Sequence, residues 1–219
     1  MKGHPMLTLY TYWRSSTSYR VRIMLNWKGL PYRPEYVSLP RMDHRSAPFL
    51  GTNPQGLVPA LRDGDFELAQ SMAIFEYLEE RHPSPALLPP DIRQRAYVRM
   101  LANIVACDIH PLNNVRILRH LEQRLGLDEA ARDDWYATWI AAGLQAFEAS
   151  LEHWGWDGDY CCGDEPGIAD VCLVPQLYNA RRFGCDLRPY PRLAAIAQRC
   201  ESLPPFAAAH PSTQADAVA

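Results

Sequence analysis

The stretch LVPALRDGDFELAQSMAIFEYLEERH, residues 57–82, decides how the first third of this chain folds. Asp63-Gly64 lies between two strand-like runs. Such a dipeptide reaches positive φ at little cost and is the signal of a tight hairpin. After it the period changes: Ile74, Tyr77 and Leu78 share one helical face, so a helix follows the hairpin. Pro59 heads the first strand, where its missing N–H is tolerated. Two readings of it stand side by side. One is an ordinary edge proline. The other is a cis-proline that turns the Val58 backbone outward, with its N–H and C=O free to pair with an extended peptide. Gln70-Ser71 directly precedes the helix. A helix N-terminus attracts anions, so this pair is a candidate carboxylate site; the plainer reading is that Ser71 only caps the helix.

Upstream, LTLYTY (7–12) reads as a strand, and 18–27 reads as a helix with Val21, Met24 and Leu25 on one face and Gly29 as its stop. Residues 31–39 read as a second strand, and 44–56 as irregular or briefly helical. The order is βαβ then ββα. Ahead of the first helix stand Arg14 and four hydroxyls, Ser15, Ser16, Thr17 and Ser18, where one N-cap would suffice. Downstream, the proline-rich segment 82–92 reads as a linker. Beyond it the pattern is helical: 93–125 with an interruption at Pro111, 128–154, an apolar helix at 169–183, and a last helix at 190–204. The aromatic stripe Trp135, Tyr136, Trp139, Phe147 reads as core packing. The small, polar tail from about 211 is expected to fray.

Of the 219 residues 47% are hydrophobic, and the formal net charge is −3. That supports a sizeable core and offers nothing basic enough for nucleic acid. No run approaches the roughly 20 apolar residues of a membrane span. The opening residues lack an apolar signal core, so no signal peptide is expected. None of the six cysteines forms a C-x-x-C pair, which points to reduced thiols in a cytoplasm. Cys107 and His110 are the nearest approach to metal-ligand spacing, and no metal is expected.

The hydroxyl cluster, the V-P-x-L stretch and the Q-S pair, in this order in a βαβ-ββα domain with helices behind it, resemble the cytosolic glutathione transferases. Longer runs make the chain similar to the zeta class, and within it to the bacterial maleylpyruvate and maleylacetoacetate isomerases. They are WRSSTSYRVRI (13–23), NPQGLVPAL (53–61), QSMAIFEYLEE (70–80), CDIHPLNNVRIL (107–118), GDEPGIADVCLVPQL (163–177) and ARRFGCDLRPYP (180–191). The resemblance implies an α/β thioredoxin-like domain at 1–85 and an all-α domain at 86–219. It implies glutathione as cofactor. Val58, beside Pro59, would pair its backbone with the cysteinyl unit, and Gln70 and Ser71 would hold the γ-glutamyl carboxylate. Ser15, Ser16 and Thr17 would surround the thiol. Asp108, His110 and Asn114 would lie near glutathione in the helical domain, across a homodimer interface in some relatives. Arg14 and Arg182 would grip an acidic substrate.

The implied activity is cis–trans isomerisation of a maleyl keto-diacid in aromatic catabolism, in the gentisate or tyrosine degradation pathways. A conjugated double bond rotates once it is made temporarily single, which a borrowed thiolate achieves by adding and leaving. A free thiol has a pKa of about 8.5, so hydroxyls and helix N–H groups are wanted beside it. Arginine matches carboxylate geometry and steadies a developing enolate. Two alternatives use the same resemblance: a zeta-type transferase acting on α-halo acids or other electrophiles, and a non-catalytic interaction module. Two positions depart from the family pattern. Thr17 stands where a cysteine is usual. Gly167 stands where Ser or Thr usually caps the buried helix, with Asp170 still able to reach back to the Gly167 N–H. Without the resemblance, Arg14 reads as a surface ion-pair partner, Arg182 as a cation at a helix end, and Arg22 as structural.

Overall fold

The computed structural model describes residues 6–154 and 158–217. Strand β1 (Leu7–Thr11) lies inside a four-stranded sheet. It pairs in parallel with β2 (Tyr32–Tyr36), through the crossover helix α1 (Ser16–Trp27) that parallel pairing requires. The short helix α2 (Ala47–Thr52) follows, then β3 (Ala60–Asp63) and β4 (Phe66–Ala69). The hairpin turns at Gly64, φ 63°. The sheet order is β2-β1-β3-β4, with Leu9 opposite Pro34 on one side and Leu61 on the other. Pro34 sits on an edge strand, where its missing donor costs no ladder bond. Helix α3 (Ser71–Arg81) closes the ββα half.

Local chemistry sets these boundaries. Helix α1 begins two residues before the expected Ser18, because the Ser15 hydroxyl caps it, accepting from the Ser18 N–H at 3.2 Å. It ends where Gly29 takes φ 62° and the Leu30 N–H closes onto the Leu25 carbonyl at 2.9 Å. Strand β2 stops at Tyr36 instead of running to 39. Asp43 pulls the chain into a loop there, its carboxylate accepting from the Ser38 N–H and its own N–H donating to the Ser38 carbonyl. Lys28 is buried, and all three of its ammonium protons are taken: by Glu79 at 2.7 Å, the His82 carbonyl at 2.7 Å and the Pro85 carbonyl at 3.0 Å. One cation thus joins the ends of α1 and α3 to the proline-rich segment.

A second compact unit runs from Leu87 to Glu201. It contains α4 (Ile92–Asn103), a π-helical turn (Ile104–Ile109), α5 (Val115–Leu125), α6 (Glu129–Trp154), α7 (Ile168–Arg182) and α8 (Pro191–Glu201). The interruption expected at Pro111 therefore begins earlier, as the π turn. Gly143 on α6 makes room for that turn: a Cβ there would come within 2.1 Å of the Ile109 side chain. Helix α7 is the core of the unit, packed by α4, α8 and the π turn. Asp170 closes its start, accepting from the Gly167 N–H at 2.8 Å and the Cys161 N–H at 3.0 Å. Burial pushes the Asp170 carboxyl up, against these donors. The aromatic stripe divides. Tyr136 and Phe147 are core residues, Trp135 is half-buried with its indole N–H on the Leu112 carbonyl, and Trp139 is exposed.

The last segment departs from expectation. The helix expected over 190–204 splits, and Pro204, Pro205 open a separate helix α9 (Pro204–Ala209) that packs on α1. Residues from Ser202 onward belong to the first unit. The tail through residue 217 does not fray: it forms a 3-10 turn at Pro211–Thr213, and Asp216 accepts from the Trp13 N–H at 2.9 Å; the last two residues lie outside the described ones. Among the described residues no helix is long and apolar enough to cross a membrane.

Candidate active site

The hydroxyls at the start of α1 are wired in one direction. The Thr17 hydroxyl donates to the Val58 carbonyl at 3.0 Å, and a carbonyl can only accept. Thr17 has no second proton, so in its 3.0 Å contact with Ser15 it must accept. The chain of donors is Ser15 to Thr17 to Val58. Ser16 is buried beside them, while the Ser18 hydroxyl is buried without a partner among the described residues. Arg14 is exposed, its guanidinium carbon 5.3 Å from the centre of the Trp13 ring, and it forms no ion pair among the described residues.

The backbone beneath Arg14 is held firmly. The Trp13 N–H goes to Asp216 and its carbonyl accepts from Arg22 at 2.9 Å. Arg22, fully buried, also donates to the Ala209 carbonyl, the Thr11 hydroxyl and the Tyr12 carbonyl. Its guanidinium is pushed down to about 10 by burial, partly offset by Tyr32 and Asp216. It is structural, as its sequence setting suggested.

The Val58–Pro59 bond is cis. The expectation that both Val58 backbone groups stand free needs correction, because the carbonyl takes the Thr17 hydroxyl; only the N–H has no partner among the described residues. The approach to this loop is fixed by Asn53, which donates to the Leu57 carbonyl at 2.7 Å, and by Gly56 at φ 60°, where a Cβ would lie 2.8 Å from the His44 carbonyl. At the next helix start, Gln70 and not Ser71 is the N-cap residue. Gln70 has φ 72° and ψ 115° and makes no capping side-chain bond. Its amide donates instead to the Gln55 side chain at 2.7 Å. Ser71 is the first helical residue, buried, accepting from Arg20 at 3.4 Å. Gln55 was not singled out from the sequence; only its place two residues before Leu57 in NPQGLVPAL hinted at it.

In the second unit, Asp108 is exposed on the π turn and His110 closes that turn, its N–H on the Val105 carbonyl. Such turns are frequent at functional sites. Asn114 caps α5, its side chain accepting from the Arg116 N–H at 3.1 Å. Arg182 ends α7. Its guanidinium reaches the Asn179 side-chain oxygen at 3.0 Å and lies 4.7 Å from the centre of the Phe183 ring. Its neighbour Arg181 is ion-paired to Glu201 at 2.6 Å. Tyr136, Asn179 and Phe183, which surround Arg182, had no site signal in the sequence: Tyr136 belongs to a stripe that reads as core.

Comparison with known proteins agrees with this architecture. The N-terminal domain family of the glutathione S-transferases matches residues 9–86, and the C-terminal domain family of the same enzymes matches residues 137–204. The maleylpyruvate isomerase of a Ralstonia species is 50% identical over 210 residues, covering 96% of this chain and 99% of that protein. A holo structure of maleylpyruvate isomerase, described as a bacterial glutathione S-transferase of zeta class, superposes with a TM-score of 0.94 at 50% identity, covering 96% of this chain and all of that one. The maleylacetoacetate isomerase of Methylobacterium extorquens AM1, solved with bound malonate and GSH, gives a TM-score of 0.94 at 39% identity, covering 97% and 100%. With its α1 hydroxyls, its cis-proline loop and its helical second unit in this arrangement, the chain belongs to the glutathione S-transferase family, in the zeta class that holds the maleylpyruvate and maleylacetoacetate isomerases.

Proposed function

We propose that this protein is a glutathione-dependent cis–trans isomerase that converts maleylpyruvate or maleylacetoacetate to the fumaryl isomer in aromatic compound degradation. The observation that carries the proposal is the bond from Thr17 to Val58, which brings the hydroxyl cluster and the cis-proline loop within one hydrogen bond of each other. The residues present fit glutathione. The Val58 N–H, without a partner among the described residues, suits a backbone partner, and the start of α3, where Gln70 makes no capping side-chain bond, suits a carboxylate. When bound, glutathione supplies a thiolate that adds reversibly to the double bond. Ser16 and the first N–H groups of α1 favour the charged sulfur, while Ser15, whose proton goes to Thr17, holds that hydroxyl in place beside it. Arg14, next in sequence to Ser15 and without an ion pair among the described residues, offers a fork for one substrate carboxylate. Arg182 is assigned the other, and Asp108, His110 and Asn114 are assigned to the glutathione side. The malonate and GSH bound in the Methylobacterium relative support a protein that takes a dicarboxylate as well as glutathione. A homodimer is part of the proposal by resemblance, and a cytoplasmic setting suits six unbridged cysteines.

The test is to incubate the purified protein with each maleyl substrate, with and without glutathione, and to follow loss of the cis isomer. Turnover that requires glutathione is expected. A protein that binds glutathione yet leaves both substrates unchanged overturns the proposal. A higher kcat/KM for chloroacetate than for either diacid would transfer it to halo-acid chemistry.

A further inference from the structure

We infer that Tyr136 and Asn179 are positioning residues for substrate recognition, acting through Arg182. The inference rests on the reading of Arg182 as a carboxylate grip and adds what makes that grip stiff. Tyr136 comes from the middle of α6 and is 2% exposed. Its phenol oxygen accepts from the Asn179 side-chain amide and from the Arg182 guanidinium. Asn179 spends its amide protons toward Tyr136 and offers its oxygen to Arg182 at 3.0 Å. Phe183 completes the arrangement, stacked on Tyr136 with centroids 3.8 Å apart and planes 21° from parallel. The same ring lies beneath the guanidinium.

The chemistry of this cradle is selective. An exposed arginine at a helix end samples many rotamers, and ordering them on binding lowers affinity. Here hydrogen bonds to an amide oxygen and a phenol, with an aromatic face, restrict the guanidinium before any anion arrives. These partners are neutral groups. Burial drives the Tyr136 phenol well above its ordinary range, so it stays protonated throughout the physiological span and never becomes a counterion. Arg181, one residue earlier, is ion-paired to Glu201. A planar fork held by neutral acceptors is suited to a carboxylate at a fixed angle.

The decisive experiment measures KM and kcat for the maleyl substrate, the inhibition constant of malonate, and the glutathione Kd. The variants are Tyr136→Phe, Asn179→Leu and Arg182→Ala, alone and combined, each with its melting temperature. Tyr136→Phe keeps the ring stack and removes only the hydroxyl. Expected are a KM and a malonate constant raised about 3- to 10-fold in the first two variants, kcat within about twofold, and unchanged glutathione affinity. In the Arg182→Ala background neither substitution should add to the loss. Unchanged KM and malonate binding in both variants overturns the inference, and so does an equal rise that persists without Arg182. If Arg182→Ala alone leaves KM unchanged, the reading of Arg182 itself fails, which is a separate outcome. Should Tyr136→Phe not fold, Asn179→Leu decides, with the same criteria.

Discussion

Gln70 offers a test in which stability and binding separate. Its backbone stands at φ 72° and ψ 115°, a region that a residue with a Cβ occupies at a cost of about 1–2 kcal/mol. Glycine avoids that cost, but its freer unfolded chain returns about 0.5–1 kcal/mol. Gln70→Gly should therefore be more stable than Gln70→Ala by about 0.5–1 kcal/mol, in the same direction as the ordinary preference for glycine over alanine at an N-cap. Both variants lose the amide bond to Gln55, so that term cancels between them. In a chain of this size about 1 kcal/mol moves Tm by roughly 2–4 °C. Calorimetric melting reads this difference directly. Glutathione affinity should fall equally in both, by about tenfold or more, because a hydrogen bond to a charged group is worth roughly 1.5–3 kcal/mol. Titration calorimetry reads the second quantity. An alanine variant as stable as the glycine variant would show that the backbone is not strained. Undiminished affinity in both would show that the Gln70 side chain does not touch glutathione.

Thr17→Val should weaken glutathione binding by about 3- to 10-fold, Thr17→Ser should restore it, and Thr17→Cys should fall between, since the thiol is a weaker donor to the Val58 carbonyl; Kd values by calorimetry decide. Arg14→Ala should raise KM for the maleyl substrate at least tenfold and leave the glutathione Kd within twofold; collapse of glutathione binding instead would remove Arg14 from the substrate side. Lys28→Met should cost about 3–5 kcal/mol in urea unfolding, because the buried Glu79 loses the Lys28 charge, and adding Glu79→Met should recover more than half of that. Asp170 gives a pH test. Its carboxyl is raised above the unfolded value of 3.8, so the folded chain takes up this proton at higher pH than the unfolded one. Its contribution therefore grows as pH falls through that window. The Tm gap between wild type and Asp170→Asn should widen from pH 7 to pH 4; a narrowing gap would contradict the assignment.

Local signals carried most of the fold. Asp63-Gly64, Gly29 and the 3.6-residue spacing of Ile74, Tyr77 and Leu78 act on near neighbours, and the structure has the hairpin, the stop and the helix where they indicate. Asp170 reaches Gly167 for the same reason: the two groups are three residues apart. What escaped the sequence is made by distant partners. The return of α9 rests on Arg22 meeting Ala209 and Asn26 meeting Pro205, which no periodicity encodes. The Thr17–Val58 bond spans 41 residues, so a reading that leaves the Val58 carbonyl open is the natural one from sequence. Gln70 shows the converse limit: its residue type favours no positive φ, and only the requirements of the β4–α3 junction impose it. Tyr136 was legible as core but not as a support for Arg182, because its hydroxyl acts across helices.

The return of the C-terminal segment makes the first unit discontinuous along the chain. Everything from Leu87 to Glu201 is synthesised between its two parts, so the second unit can fold while the first still lacks α9. Until then the buried face of Arg22 has no Ala209 carbonyl to meet, and the Trp13 N–H has no Asp216. The loop that presents Arg14 and Ser15 receives a fastening from residues made only after the second unit. A newly made chain thus completes this corner only after the helices that follow it in sequence have been made.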